Sequence, residues 1–369
     1  MISRHAFSRK AHEAEARERL RAFWAGGELD RPALHFTVHQ PAEDPFTRDG
    51  WTDDAAARDR NTAWHVYQAR HSIRHTLYLA ESMPVASYVY AANVGLVAEL
   101  AGGRYAYHHG HAWVQPLADV YERPTPRFDP NHPAVRVLTD AVRQMATAIG
   151  HEAAINLPAF GLDSLTTLSL FRGPEHLCAD LLEIPDTVLS WCATVDQLIV
   201  DCYEYFYQLV CSLGYGETSS WLPIMAEGRC EAVQCDFAVM LSPDMFTRFA
   251  LPSLQTVTEY FDYSLYHLDG TCQTRFLNAL QTLPHLNGIQ WNPEPGAGSA
   301  VDWIHAYRAI RERGFCLLNN NVSTVDEAVA ITKALGPDGL MIALPPFQSI
   351  SEAEDAIRAI ERASRESRA

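Results

Sequence analysis

The stretch SLYHLDGTCQTRF, residues 264–276, joins a short apolar run to a polar loop and then to a segment with helical spacing. An apolar run of this length predicts a buried strand, and a helix over residues 271–283 follows it. The same rhythm recurs three more times toward the C-terminus. GIQW precedes a predicted helix at 301–313, FCLLNN precedes one at 323–335, and GLMIAL precedes one at 350–363. Four strand–helix units in succession predict an α/β fold with a parallel sheet.

The rest of the chain extends this pattern toward the N-terminus. ALHFTV, residues 33–38, predicts a buried strand, residues 63–80 predict a helix, and residues 187–213 predict a long helix. No low-complexity linker divides the chain. We therefore predict one domain over residues 1–369, a single (β/α)8 TIM barrel with an N-terminal helical elaboration, in which residues 1–30 form a helix that packs on the barrel. A doubly wound sheet is the alternative.

Composition restricts the classes of function. Hydrophobic residues make up 47% of the chain and charged residues 20%, as in ordinary globular proteins. The formal net charge of −16, without a cluster of basic and aromatic residues, argues against nucleic acid as a partner. No apolar run reaches the roughly 18 residues that a membrane span needs. The eight cysteines form no CxxC pair and the N-terminus has no apolar signal core, so we expect a cytoplasmic protein.

His267 and Asp269 are the first candidates for chemistry. They alternate on the predicted strand that ends at Gly270, so their side chains point to the same face. In a barrel, the loops that follow the strands build the active site. An imidazole and a carboxylate in this position bind a divalent cation, form an acid/base pair, or play a structural role. Cys272 follows closely and is read as a packing residue in preference to a third ligand.

The strand after it ends in a second polar group. Gln290, Trp291 and Asn292 offer hydrogen-bonding groups and an aromatic wall, followed by a Gly/Pro-containing loop. That composition suits a pocket for a small molecule, although a well-packed turn beneath a tryptophan has the same sequence.

Further candidates lie outside the C-terminal units. Asp236, in QCDF, stands between apolar neighbours, so its carboxylate would be positioned near the pocket. Trp221, in SSWLP, is a pocket wall or a core residue. His109, in YHHGHAW, is a candidate for contact with substrate, or belongs to a partly exposed loop. No GxSxG, HExxH, phosphate-loop or GxGxxG motif is present, which disfavours serine hydrolases, zincins and nucleotide-dependent enzymes.

The order of these segments resembles the uroporphyrinogen decarboxylase superfamily. The resemblance is carried by GELDRPALHF (27–36), LSPDMFTRFALP (241–252), YHLDG (266–270) and GIQW (288–291), and it extends over about residues 15–365. The superfamily includes the haem-pathway decarboxylase and zinc-dependent, corrinoid-linked methyltransferases. The resemblance implies a (β/α)8 barrel with its site at the C-terminal mouth, and it makes a homodimer a reasonable expectation.

Within that superfamily, the chain is more similar to the methyltransferase branch than to the decarboxylase. The decarboxylase carries an arginine-rich stretch after its first strand. At that position this chain has FTVHQPAED, and the first arginine after the strand is Arg48. The methyltransferases bind zinc through a His-x-Cys at the position of His267 and Asp269, and through a cysteine where this chain has Leu344 and Pro345. The carboxylate of Asp269 replaces a thiolate, so the resemblance leaves zinc open.

Our preferred interpretation is an enzyme that transfers a methyl or other one-carbon group in a corrinoid- or thiol-linked pathway. The resemblance implies zinc, and a corrinoid carried by a partner protein, as candidate cofactors. His267 and Asp269 would be metal ligands or an acid/base pair, while Asp236 and Gln290 orient a small-molecule substrate. A metal-independent decarboxylase or lyase acting on a small carboxylic acid is the second interpretation. A barrel that binds a small molecule or a corrinoid protein without catalysis is the third.

Overall fold

The structure is a computed structural model that describes residues 7–42, 52, 54–88, 95–109, 111–157 and 163–368. Its strands are β1 (Ala33–His39), β2 (Thr76–Ala80), β3 (Val85–Ala86), β4 (Tyr105–His108), β5 (His111–Val114), β6 (Ala154–Ile155), β7 (Glu217–Ser219), β8 (Met225–Glu227), β9 (Cys230–Gln234), β10 (Tyr263–Asp269), β11 (Gly288–Asn292), β12 (Cys316–Asn319) and β13 (Leu340–Ala343).

The helices lie mainly between these strands. They are α1 (Glu13–Trp24), α2 (Ala55–Asp59), α3 (Thr62–Arg74), α4 (Gly95–Leu100), α5 (Pro133–Ile149), α6 (Ser164–Arg172), α7 (Pro174–Glu183), α8 (Pro185–Ser212), α9 (Pro243–Met245), α10 (Leu251–Tyr260), α11 (Leu277–Leu280), α12 (Ile304–Glu312), α13 (Val325–Leu335) and α14 (Ile350–Ser367). Short 3-10 helices cover Asp236–Met240, Thr271–Phe276 and Ala300–Trp303, and a π-helical turn, Phe246–Ala250, joins α9 to α10. Within the described part of the chain, no helix combines the length and apolar character needed to cross a bilayer.

A mostly parallel sheet forms the centre of the molecule. Its seven strands lie in the order β2-β1-β13-β12-β11-β10-β9, and every neighbouring pair is parallel except β1–β2. The four C-terminal strand–helix units expected from the apolar runs are all present, ending in α11, α12, α13 and α14. The predicted α/β class with a parallel sheet is therefore confirmed.

Closure of this sheet into an eight-stranded barrel is a separate matter. β3 and β6 form their own parallel pair, β6 contacts β7, and β7 contacts β9. These four strands lie on the side where a barrel would close. Across the described ranges, however, the hydrogen-bonded ladder ends at β2 on one edge and at β9 on the other. Among the described residues, the pairing therefore shows a mostly parallel sheet of seven strands, and it does not show a closed ring.

Residues 76–80 differ from the sequence prediction, which placed them in a helix. Here α3 ends at Arg74, and the next five residues form β2, antiparallel to β1. The run TLYLA alternates polar or aromatic with aliphatic side chains and contains a β-branched residue, which suits an edge strand. The sheet edge beside β1 supplies hydrogen-bond partners for its backbone.

Alternation along each strand produces two separate cores. On β1, Leu34 and Phe36 point outward and join the large core between the sheet and the helices. The residues at the alternate positions of β1 point inward. Inward-facing residues of the other strands, among them Leu265, Leu318 and Met341, form a smaller inner core. The inner core therefore fills the concave side of the sheet near the strand starts.

Helix α1 covers that end of the inner core. Phe23 and Trp24 belong to the inner cluster, and the indole Nε1 of Trp24 donates to the carbonyl of Met225 at 3.0 Å. The thiol of Cys316, at the start of β12, donates to the carbonyl of Phe23 at 2.9 Å. Helix α1 thus covers the amino ends of the strands on the concave side of the sheet.

Candidate active site

Three neighbouring strands bring polar side chains together at the open end of the sheet. The register pairs His267 on β10 with Gln234 on β9 and with Gln290 on β11. One step further along, Asp269 pairs with Asn292. Paired residues on neighbouring strands share a face of the sheet, so these five side chains all lie on the concave side.

Gln290 fixes the orientation of the His267 ring. The Gln290 side chain is 1% exposed, and its Nε2 donates to the carbonyl of Trp291 at 2.8 Å and to Oδ1 of Asn320 at 2.6 Å. A peptide carbonyl can only accept, so the amide nitrogen must face it and Oε1 must face the imidazole. Nδ1 of His267 therefore carries the proton and donates to that oxygen. In the neutral ring, Nε2 is left as a base.

Asp269 lies in front of that base. Its Oδ1 is 3.9 Å from Nε2 of His267, and it accepts a hydrogen bond from Nδ2 of Asn292 at 2.5 Å. The side chain of Asp269 is 45% exposed, whereas that of His267 is only 11% exposed. The carboxylate of Asp269 and Nε2 of His267 therefore face the same space at the mouth.

Asp236 completes a small acidic group around the imidazole. It is the first residue of the 3-10 helix that follows β9, and it is half-buried. Burial raises the pKa of this carboxyl above its usual value, with a further rise caused by Asp269, while the imidazole of His267 has the opposite effect. Three ionisable groups therefore influence one another at the mouth.

Trp221 forms a wall on the other side of His267. The centroids of the two rings are 4.9 Å apart and the rings meet edge to face, at 83°. The indole is 58% exposed, which is unusual for so large an apolar side chain. It thus offers an open aromatic surface directly beside the base.

Two predicted site residues lie elsewhere. Trp291 is fully buried on the opposite face of β11 from Gln290, where its ring packs 5.3 Å from that of Trp303 and 6.1 Å from that of Tyr307. Alternation along the strand turns it into the outer core, so its expected role as a pocket wall does not hold in this structure. His109 lies at the exposed turn between β4 and β5, with a positive φ of 51°, apart from the strands that carry the other candidates.

The described residues do not fit a zinc site. Among them, no group of three or more His, Cys, Asp and Glu side chains is arranged to hold a metal ion. Nδ1 of His267 is engaged by Gln290, and Cys272 is exposed. Cys316 lies at the strand start, with its thiol on the carbonyl of Phe23. No soft ligand accompanies the imidazole, so no metal-assisted step is assigned to this site.

A cavity of about 370 Å³ opens on the other side of Trp221. Its walls come from α1, β1, β2 and the segment around β7 and β8, and they include His35, Thr37, Tyr78 and Trp221. Burial, reinforced by the positive charge of Lys10, lowers the pKa of His35 to about 4, so this imidazole is neutral at pH 7. Trp221 therefore connects the cavity with the base.

Among the residues of this cavity, the sequence indicated Trp221 as a candidate wall and missed the others. His35 and Thr37 occupy alternate positions in ALHFTVH. Polar residues at every second position of a buried strand indicate that one face of the strand lines a polar site, and this pattern could have identified them. The hydrogen bond between Gln290 and Asn320 was likewise not predicted, because it joins side chains thirty residues apart in the chain. Lys10 could not be found in this way, because more than twenty residues separate it from His35 in the chain.

Comparison with known proteins identifies a likeness in fold to a solved structure. No protein-family model and no curated protein sequence matches the chain. A solved structure described as "methyltransferase from Methanosarcina mazei" has a TM-score of 0.54 and is 15% identical, with coverage of 94% of this chain and 98% of that chain. At this level of identity the likeness shows a shared fold.

Proposed function

We propose that this chain is an enzyme that transfers a methyl or other one-carbon group to or from a small molecule at the mouth formed by β9, β10 and β11. The observation that carries the proposal is the fixed ring of His267, whose Nε2 lies 3.9 Å from the carboxylate of Asp269 and which packs beside an exposed indole. The shared fold with a methyltransferase is consistent with this reaction class.

The chemistry that the site can perform is proton removal from a nucleophile. As a thiol or hydroxyl group attacks the methyl carbon, its proton passes to Nε2 of His267. The new bond joins sulfur or oxygen to the methyl group, and the bond to the donor breaks with its electron pair left on the donor. Asp269 stabilises the resulting imidazolium, and Gln290 keeps Nδ1 protonated throughout. General base catalysis of this kind contributes about 10²–10⁴-fold to a rate.

A corrinoid carried by a partner protein, or a small thiol, is the proposed second participant. The corrinoid would supply or accept the methyl group when bound. The residues of this chain would bind and orient the small molecule, with Asp236 as an orienting group and Trp221 as a wall. Gln290, expected from the sequence to contact the substrate, is buried with its amide fully engaged, so it acts through the ring of His267. No role is given to zinc, because the described side chains offer no matching ligand set.

A second candidate is a metal-independent decarboxylase or lyase that acts on a small carboxylic acid. The observation in its favour is the same imidazole, whose Nε2 is not engaged by Gln290 and faces the mouth beside Asp269. In that reaction the carbon–carbon bond breaks, CO2 leaves, and His267 in its protonated form delivers the proton from Nε2 to the carbanion. The two candidates differ in product, since only the second releases CO2.

The test uses the intact protein with free methylcobalamin as methyl donor and 2-mercaptoethanol as acceptor. We expect the protein to accelerate the spectroscopic loss of methylcobalamin, and the His267→Ala variant to be slower by at least about 100-fold. His285→Ala is the matched control, because His285 is exposed in the loop before β11, at the closed end of the sheet. Equal rates for the wild type and His267→Ala would contradict the proposal. Release of CO2 from a carboxylic acid, without methyl transfer, would favour the second candidate.

A further inference from the structure

The cavity beside Trp221 has walls of two kinds. Toward the open end it is lined by hydroxyl side chains, among them Thr37, Tyr78 and Ser220. Toward α1 it is lined by apolar side chains, including Leu20 and Met225, which also belong to the inner core. A molecule that filled it would therefore face hydrogen-bonding groups near the mouth and hydrocarbon at the floor.

The cavity offers no charge to a ligand. Among the described residues that line it, none is a lysine or an arginine, and the one acid is Glu81. The carboxylate of Glu81 is already bound by Arg31 at 2.6 Å, by Arg19 at 3.0 Å and by the backbone N–H of Leu34 at 2.8 Å. Lys10, whose charge acts on His35, is not among the lining residues, and its ammonium group donates to the carbonyls of Tyr78 and Ala80. Within the described lining, a carboxylate ligand would therefore find no cation, and an ammonium ligand would find no free anion.

His35 adds a neutral hydrogen-bonding group halfway along β1. Its ring lines the cavity between the hydroxyl end and the apolar floor. The burial and the nearby Lys10 that keep it uncharged also mean that it can donate from one ring nitrogen and accept at the other. Such a group suits a hydroxyl or carbonyl on a ligand better than it suits an ion.

We propose that this cavity binds the substrate of the reaction at His267, and that the substrate is a neutral molecule bearing hydroxyl groups on an apolar body. The inference rests on the proposed function, because it requires the reacting atom of the bound substrate to lie beside Trp221, within reach of His267. The indole of Trp221 lines the cavity and also packs against the imidazole of His267, with 4.9 Å between the centroids of the two rings. The volume of about 370 Å³ accommodates a small molecule of this kind.

The test is a binding measurement that requires no turnover. Three probes share the 4-fluorophenyl ring and carry a neutral, an anionic or a cationic group of similar size: 4-fluorobenzyl alcohol, 4-fluorobenzoate and 4-fluorobenzylamine. Titration followed by ¹⁹F NMR gives a Kd for each. We expect the alcohol to bind more tightly than either charged probe, by at least tenfold. Tighter binding of the acid or the amine, or no binding of the alcohol, would overturn the inference.

Two near-isosteric variants locate the binding site. Thr37→Val and Tyr78→Phe each remove one hydroxyl from the cavity wall, and each should weaken binding of the alcohol about fivefold. His285→Ala, at the other end of the sheet, should leave the Kd unchanged. Circular dichroism and the Tm show whether each variant is folded. Unchanged binding by both folded cavity variants would place the alcohol elsewhere and contradict the inference.

The outcome is independent of the test of the proposed function. If His267→Ala abolishes methyl transfer while the charged probes bind best, the methyltransferase proposal stands and the substrate class is wrong. If the alcohol binds in the cavity while His267→Ala turns over normally, the cavity is a binding site and the role of His267 is wrong.

Discussion

The amide of Gln290 is held by the backbone carbonyl of Trp291, at 2.8 Å, while its oxygen accepts the hydrogen bond from Nδ1 of His267. A peptide group on the outer-facing neighbour thus determines which ring nitrogen of the histidine is free. The free nitrogen, Nε2, is the one that faces Asp269. The pairing of β10 with β11 therefore determines the tautomer of the proposed base.

Gln290→Met tests this arrangement, because methionine has similar volume but cannot accept from Nδ1. We expect kcat to fall by about 10–100-fold with little change in KM, since the ring loses its fixed tautomer and orientation. ¹⁵N NMR of the imidazole gives a direct readout, as the wild type should show a single tautomer with a proton on Nδ1. Gln255→Met, on the exposed side of α10, is the control. A wild-type tautomer and rate in Gln290→Met would show that the ring is held by other groups.

Trp221 should matter for activity and little for stability. Its indole is 58% exposed, so Trp221→Ala removes little buried area, while the wall beside His267 is lost. We expect the catalytic efficiency to fall by about tenfold or more and the free energy of unfolding to change by less than about 1 kcal/mol. Trp113, on β5, is 57% exposed and provides a control of equal size and exposure. If Trp113→Ala lowers the efficiency as much, the effect is not specific to the site.

Asp196 predicts a pH dependence of stability. It is 3% exposed between α8 and α10, and Ser253 donates to its carboxylate at 2.5 Å. Burial raises its pKa from 3.8 to about 6, partly offset by hydroxyl hydrogen bonds from Ser253 and Ser164. A raised carboxyl pKa favours the protonated folded state. Its contribution is fully present below pH 3.8 and is lost as the pH rises through about 6.

The difference of about two pKa units corresponds to roughly 3 kcal/mol. Asp196→Asn should therefore be more stable than the wild type at pH 7.5, by about 1–3 kcal/mol, and should lose this advantage at pH 4. Urea unfolding at both pH values measures the difference, in which the titration of other carboxyl groups cancels. If the two proteins differ in free energy of unfolding by the same amount at pH 4 and at pH 7.5, Asp196 does not titrate in that pH range.

Glu81 predicts the effect of breaking a buried ion pair. Its side chain is 1% exposed, and it binds the guanidinium groups of Arg31 and Arg19 and the backbone of Leu34. Glu81→Ala leaves buried cations and a strand N–H without a partner, so we expect a loss of about 3–5 kcal/mol. Lys333→Ala, which breaks the exposed pair with Glu366, should cost less than about 1 kcal/mol. Similar Tm values for the two variants would contradict this ranking.

The sequence predicted the C-terminal half of the fold well for a local reason. Each unit consists of a short buried run and a helix next to it, so the pattern and the structure are both local. β2 was missed because its residues become a strand only through pairing with β1, some forty residues away. Closure of the sheet is also decided by strands far apart in the sequence, and no local pattern determines it.

The candidate site was predictable to the extent that it depends on alternation. His267 and Asp269 share a face of the sheet, as their spacing indicates. Gln290 lies on the same face, because the register of β10 and β11 pairs it with His267. Trp291 was grouped with Gln290 although adjacent strand residues point to opposite faces, and the structure buries it in the outer core. The tautomer of His267 depends on a hydrogen bond across two strands, which only the three-dimensional pairing reveals.

The pairing of β1 with β13 also sets the order of events during synthesis. Residues 33–35 hydrogen-bond with residues 341–343, so the first strand of the sheet has no parallel neighbour until almost the whole chain has been translated. At typical elongation rates of about 5–20 residues per second, that delay is on the order of 15–60 s. Throughout this interval one edge of β1 lacks its strand partner, and an unpaired edge of this kind is a template for pairing with another chain.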